Sequence, residues 1–185
     1  MSNLLAVSDF VVKRRPKVFE VRAGYDIYDQ RDGAALGSVD QVGRDNLEKL
    51  TRPKREDNAK TLLELNDASG PVLLMTHVQA ARSSLEVSLP DGAEIGCFRL
   101  QNYFGKSRLA YASGLLAART WRNKSFAMVD SQGAELASVD MTKGSSGDHS
   151  HDNQYAVHIE PGLTDPIRSI AFAVVFAVDR IVWTR

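Results

Sequence analysis

Within five residues, Asp148-His149-Ser150-His151-Asp152 offers two carboxylates and two imidazoles. Imidazole suits zinc, copper or nickel, and carboxylate adds an anionic oxygen donor. Asp148, His149, His151 and Asp152 are therefore candidate metal ligands. The same residues, set among Gly, Ser and Asn in residues 143–153, equally make a solvated polar loop of turn formers. A second kind of chemistry belongs to cations. Lys13-Arg14-Arg15-Pro16-Lys17 is the densest basic cluster, and Arg119, Arg122 and Lys124 surround Trp121. A third group, Arg52, Lys54 and Arg55, is diluted by Glu56 and Asp57. Each Lys or Arg close to an anionic membrane surface gains about 1 kcal/mol. Lys13, Arg14, Arg15, Lys17, Arg119, Arg122 and Lys124 are thus candidate lipid-binding residues. The competing reading is ordinary solvated surface, with Trp121 packed against the sheet. His77 and His158 fall on expected strands and read as satisfied or exposed side chains.

Enzyme machinery is missing from the sequence. There is no Gly-rich phosphate loop followed by Lys and Ser or Thr, no Cys-x-x-Cys pair and no Gly-x-Ser-x-Gly elbow. The chain reads as non-enzymatic and without a cofactor. Its formal net charge is zero, which gives no electrostatic argument for nucleic acid. The single cysteine, Cys97, cannot form an internal disulfide and reads as a small buried thiol. With no apparent signal peptide, this composition suits a reducing, intracellular compartment.

These residues need a scaffold, and the chain's last segment says most about it. Ile170 to Val178 is an unbroken apolar run of nine residues, preceded by Thr164-Asp165-Pro166 and closed by Asp179-Arg180. Thr or Asp before Pro is a helix start, because the side-chain oxygen caps free N–H groups and Pro fits the first turn. Apolar residues on every face require a helix enclosed on all sides. A membrane span needs roughly 20 apolar residues, so the reading over residues 165–183 is a core helix.

Everything before that helix reads as strands. Three stretches share one pattern: a strand, a tight turn with Gly, and a returning strand. They run from Tyr25 through Gly33 to Val39, from Leu85 through Gly92 to Phe98, and from Phe126 through Gly133 to Val139. Gly supplies the positive φ that such hairpins demand. Further strands are expected at Phe10–Val12, Val18–Arg22, Leu62–Leu65, Val72–Val78, Arg108–Ala112, Leu115–Arg119 and Gln154–Glu160. About a dozen strands can close around a helix, whereas eight leave room only for their own side chains. The expected fold is mainly β: one domain over residues 1–185, a closed antiparallel barrel of about twelve strands around a buried C-terminal helix. Residues 42–60, dense in charges of both signs, are expected as an exposed loop, as are residues 143–153.

The ordered motifs resemble the phospholipid scramblase-related and LURP-one-related proteins, which share the tubby C-terminal fold. The residues carrying the resemblance are Tyr25-Asp26-Ile27-Tyr28-Asp29 with Gly33 and Gly37, and Trp121-Arg122-Asn123-Lys124-Ser125-Phe126 with Val129, Asp130 and Gly133. Met141-Thr142-Lys143, Asp152-Asn153 with Tyr155-Ala156-Val157, and Asp165-Pro166-Ile167-Arg168-Ser169 through Asp179 complete the set. The similarity extends over roughly residues 10–183. It implies a twelve-stranded barrel threaded by the C-terminal helix. It also implies a phosphoinositide or other anionic headgroup site built from basic residues. Scramblases carry a proposed calcium segment before the helix; here Ser150 and Pro161 stand where that segment has acids, which argues against calcium. Three functions follow as expectations: headgroup or partner binding at the cytoplasmic membrane face, lipid scrambling itself, or a cytoplasmic protein-interaction module without lipid.

Overall fold

The computed structural model describes residues 4–15, 24–42, 59–79, 83–103, 106–111, 114–120, 125–143 and 153–182. It is mainly β, with an antiparallel sheet and a C-terminal helix. The strands are β1 (Asp9–Arg14), β2 (Gly24–Asp29), β3 (Ala35–Val42), β4 (Ala59–Asp67), β5 (Gly70–Gln79) and β6 (Ser84–Ser88). They continue with β7 (Glu94–Tyr103), β8 (Lys106–Tyr111), β9 (Gly114–Thr120), β10 (Ser125–Asp130), β11 (Glu135–Lys143) and β12 (Asn153–Ile159). Each pairs with its neighbours in the chain, and β1 pairs with β12 as well as β2: Val12 faces Tyr155 on one side and Ile27 on the other. The expected strand at Val18–Arg22 lies outside the described residues.

The three repeated stretches are hairpins, β2–β3, β6–β7 and β10–β11. Gly33, Gly92 and Gly133 have φ of 71°, 89° and 87°, as the turn chemistry requires. Each hairpin also carries a register shift just before its turn, at Ile27/Tyr28, Val87/Ser88 and Met128/Val129. An aspartate fixes each turn by accepting a backbone N–H. Asp32 takes Ala34 N–H and Asp91 takes Ala93 N–H; where Gln132 replaces that aspartate, Asp130 takes Ala134 N–H instead. One local device, three times repeated, thus sets which residues face inward.

Those inward residues alternate along the strands: Phe10 and Val12, Tyr25 and Ile27, Leu63 and Leu65, Leu73 and Met75, Leu85 and Val87, Val157 and Ile159, all buried. Against them lies helix α1 (Ile167–Ala177), continued by a π-helical turn, Val178–Val182. Every residue from Ser169 to Asp179 is buried, as the apolar run demands. Phe172 stacks on Phe10 with ring centroids 4.4 Å apart, and Phe176 meets Tyr25 edge-on at 5.2 Å. Each such side chain contributes about 1.5–3 kcal/mol by leaving water. The helix is shorter than the expected residues 165–183, and Pro166 itself holds the N-cap position. Asp165 still caps: its carboxylate accepts from Ser169 N–H (3.3 Å) and Ser169 Oγ (2.6 Å). At this end a 3₁₀ turn, Leu4–Ala6, buries Leu4, and the Arg168 guanidinium donates to the carbonyls of Leu5, Ala6 and Val7.

Two expected loops are trimmed. Val42 ends β3 facing Leu62, and Ala59 opens β4 facing Gln79, so the sheet takes both ends of residues 42–60. Lys143 and Asn153 face each other at the end of the β11–β12 ladder. Strand pairing satisfies their backbone groups, which outweighs the polar character of the side chains. A close approach carries a test. A methyl group on Gly37 would overlap the carbonyl oxygen of Asn66 on the neighbouring strand, and Leu4 would also have to move. Backbone cannot swing aside as a side-chain tip does. Gly37→Ala is expected to cost about 1–3 kcal/mol, read as a lower midpoint in urea with unchanged slope.

Candidate functional site

Antiparallel order puts two sets of strand ends at opposite poles. Arg14, Gly24, Thr120, Ser125, Lys143 and Asn153 end their ladders at the pole where the helix finishes; the Gly-bearing hairpin turns stand at the other. The strand ends flanking three sequence-derived candidate segments, the Lys13–Lys17 cluster, the Arg119–Lys124 group and the Asp148–Asp152 segment, therefore share the helix-exit pole. Lys17, Arg122, Lys124, Asp148, His149, His151 and Asp152 themselves lie outside the described residues, as does Trp121. Arg119 belongs to β9. Among the described residues, no three His, Cys, Asp or Glu side chains gather as a metal site.

The basic cluster on β1 is divided by strand alternation. Lys13 points outward, exposed, with its Nζ 4.8 Å from the centre of the Tyr28 ring. Arg14 turns inward and is largely buried; its Nη1 lies 3.4 Å from Asp179 Oδ1. Arg15, at the strand end, donates to Asp26 (Nε, 2.8 Å) and Asp40 (Nη1, 2.6 Å). Hydrogen bonding to Asp26, then Asp40, raises the already high pKa of Arg15. The cluster is not one cationic patch: two of its arginines already hold carboxylates.

Asp179 is the residue that sequence reading missed. It is fully buried on the π-helical turn and accepts from the hydroxyls of Tyr25 (2.6 Å) and Tyr155 as well as facing Arg14. Burial first, then the charge of Asp179, pushes both phenols well above their ordinary range, so they stay protonated donors at neutral pH. The set is a clamp joining β1, β2 and β12 to the end of the helix. Its signal was present: a carboxylate one residue beyond an enclosed apolar run has to be met by donors. Period-two alternation puts Tyr25 beside Ile27 and Tyr155 beside Val157 on the same inward face.

The Arg180 guanidinium lies 5.6 Å from the centre of the Tyr25 ring, and its charge also reaches His77. His77 follows Leu73 and Met75 on the inward face of β5 and is 5% exposed. Among the described residues its Nε2 has no hydrogen-bond partner, and of the two expectations, satisfied or exposed, the exposed one does not hold. It holds for His158, which is exposed with Nδ1 2.6 Å from Asp9 Oδ1. Burial, then Arg180, lowers the pKa of His77 from 6.5 to about 4. Between those values the unfolded chain binds the proton and the folded chain does not. Stability is therefore complete above pH 6.5 and falls as pH drops toward 4. The melting temperature should drop less between pH 7 and pH 5 in His77→Leu than in the parent; equal drops would contradict this.

A groove of about 560 Å³ opens elsewhere, between β7 and β8, lined by Glu94, Ile95, Gly96, Cys97, Arg99, Ala110 and Tyr111. Cys97 is half-buried there, and burial pushes its thiol pKa up, so it stays a thiol rather than a reactive thiolate. Among the described residues no helix is long and apolar enough to cross a membrane.

No family model, curated protein or solved structure matches this chain. The class that the observations define is a mainly β domain enclosing its C-terminal helix, with a polar cluster at the helix-exit pole.

Proposed function

We propose that the sheet is a closed barrel of the tubby C-terminal kind, related to the scramblase and LURP-one proteins. In this reading the protein is non-enzymatic and binds anionic phospholipid headgroups at a cytoplasmic membrane face through its helix-exit pole. The reciprocal pairing of β1 with both β2 and β12 supports the closed ring. The observation carrying the functional reading is the common position of the strand ends that flank the basic segments. Cations far apart in sequence would meet a flat anionic surface together. Arg14 and Arg15 serve this end differently, by holding β1 against Asp179, Asp26 and Asp40. Lys13, Lys17, Arg122 and Lys124 are then the residues that face lipid.

Flotation with anionic and neutral vesicles tests this. Binding should require the anionic lipid and weaken with salt. Replacing Lys13, Lys17, Arg122 and Lys124 by Gln should cost about 1 kcal/mol each, a loss on the order of several hundred-fold in partitioning. Arg31→Gln, at the opposite pole, should change nothing. Equal flotation of all variants, or none at low salt, rejects the reading.

A further inference from the structure

We infer that the edge of β7 over residues 94–97 takes an extended peptide of a protein partner, which continues the line of β8 and carries an acidic, an apolar and a basic residue in that order. The groove stands at the hairpin end of the sheet, away from the helix-exit pole, so it is separate from the membrane contact proposed above.

β7 outruns its partner on one side. β6 pairs with it from Glu94, opposite Ser88, to Arg99, opposite Ser84. β8 pairs with it only from Arg99, opposite Ala110, to Tyr103, and its ladder with β9 closes where Tyr111 faces Gly114. Beyond that level, residues 94–97 extend for about 13 Å with no described strand on the β8 side. The backbone there is turned toward the gap. Leu100 N–H donates to the Ser83 carbonyl on the β6 side, so alternation sends the groups of Arg99 and Cys97 the other way. Arg99 meets Ala110, whereas the N–H and C=O of Cys97 look into the groove of about 560 Å³. A register shift also leaves Ile95 without a counterpart on β6. An open strand edge is a template for another chain: main-chain hydrogen bonds supply affinity and alternate side chains supply specificity. The side chains then define the occupant. On a strand added antiparallel to β7, one residue stands opposite Cys97, on the outward face that it shares with exposed Arg99. The next stands opposite Gly96, which has no side chain of its own, with Ile170 beneath and Tyr111 lining the groove. The third stands beside Ile95 and exposed Glu94. Among the described residues neither Arg99 nor Glu94 holds an ion pair. A carboxylate, an apolar side chain and an ammonium, in N-to-C order, match these three surfaces; the reverse order sets like charges against each other.

The test compares two peptides of one composition, acetyl-Thr-Glu-Val-Lys-Thr-amide and its reverse, acetyl-Thr-Lys-Val-Glu-Thr-amide. Backbone ¹⁵N–¹H spectra of the full chain are recorded at pH 7 and low salt during titration with each. The expected result is a saturable shift of the Ile95, Gly96 and Cys97 amides with the first peptide and none at His158 on β12. The reverse peptide should bind at least fivefold more weakly. Glu94→Arg combined with Arg99→Glu, both at exposed positions, should invert that preference. Amides of residues 94–97 that stay unmoved by both peptides overturn the inference. So does equal binding of the two, or a preference that the paired substitution leaves unchanged. Shifts of the same amides that follow protein concentration without any peptide assign the edge to a second copy of the chain, and also overturn it. Vesicle flotation decides the membrane reading separately, since the paired substitution leaves the helix-exit pole untouched.

Discussion

Val175→Asp will leave the chain unable to fold. Val175 stands midway along α1, is 1% exposed, and has apolar neighbours from Phe172 to Val178. Burying an ionised carboxylate without partners costs several kcal/mol even if the group protonates, and the whole domain has about 5–15 kcal/mol to lose. The helix has no solvent-facing side to which the new charge could rotate, since Ser169 to Asp179 are all buried. A surface helix would tolerate the same change by turning through part of a turn. Phe172→Ala grades the effect: losing the stack on Phe10 and leaving a cavity should cost about 3–5 kcal/mol, with the fold retained in the cold. Soluble yield and thermal melting report both. A soluble Val175→Asp protein melting like the parent would mean that the helix does not sit where it is described.

The enclosed helix and the hairpins were legible because single residues dictated them. Nine apolar residues in a row admit only burial, and Asp-Gly or Gln-Gly between alternating strands admits a tight turn. The bulge before each turn was not legible, since alternation read through Tyr28 or Val129 gives no sign that one residue is unpaired. The site was harder still. Lys13, Arg14 and Arg15 look like one patch along the sequence, yet successive strand residues point to opposite faces, and only the neighbouring strands and the terminal turn reveal Asp26, Asp40 and Asp179 as counter-charges of the two arginines. In the sequence Asp179 reads as punctuation after the apolar run; its role depends on Tyr155 and Tyr25, more than twenty and more than a hundred and fifty residues away respectively. His77 shows the same limit. Its place on an inward strand face was readable, but the missing partner at Nε2 is a fact of three dimensions.

Asp179→Ala is expected to cost about 3–5 kcal/mol, because removing one member of a buried charged set strands the others. Three groups lose their acceptor at once: the Tyr25 hydroxyl, the Tyr155 hydroxyl and the mostly buried Arg14 guanidinium. The phenols are fully buried and have no water to turn to, whereas Arg14, at 14% exposure and 3.4 Å, can recover some solvation. Most of the penalty should therefore sit on the tyrosines. Asp179→Asn retains an acceptor oxygen of the same shape and should cost less than the alanine variant. Tyr25→Phe and Tyr155→Phe should each cost about 1–2 kcal/mol in the parent and much less in the alanine background, since their acceptor is then already gone. A combined Arg14→Met, Tyr25→Phe, Tyr155→Phe, Asp179→Leu chain removes donors and acceptor together and should regain much of the loss, as buried ionic sets replaced by apolar packing often do. Urea midpoints across this series separate the possibilities. If the tyrosine effects are additive with the loss of Asp179, the phenols do not depend on that carboxylate, and the clamp joining strands to helix is not what fixes this pole. If the all-apolar chain regains stability but loses vesicle binding, the clamp's polar groups are there to shape the pole rather than to hold the fold.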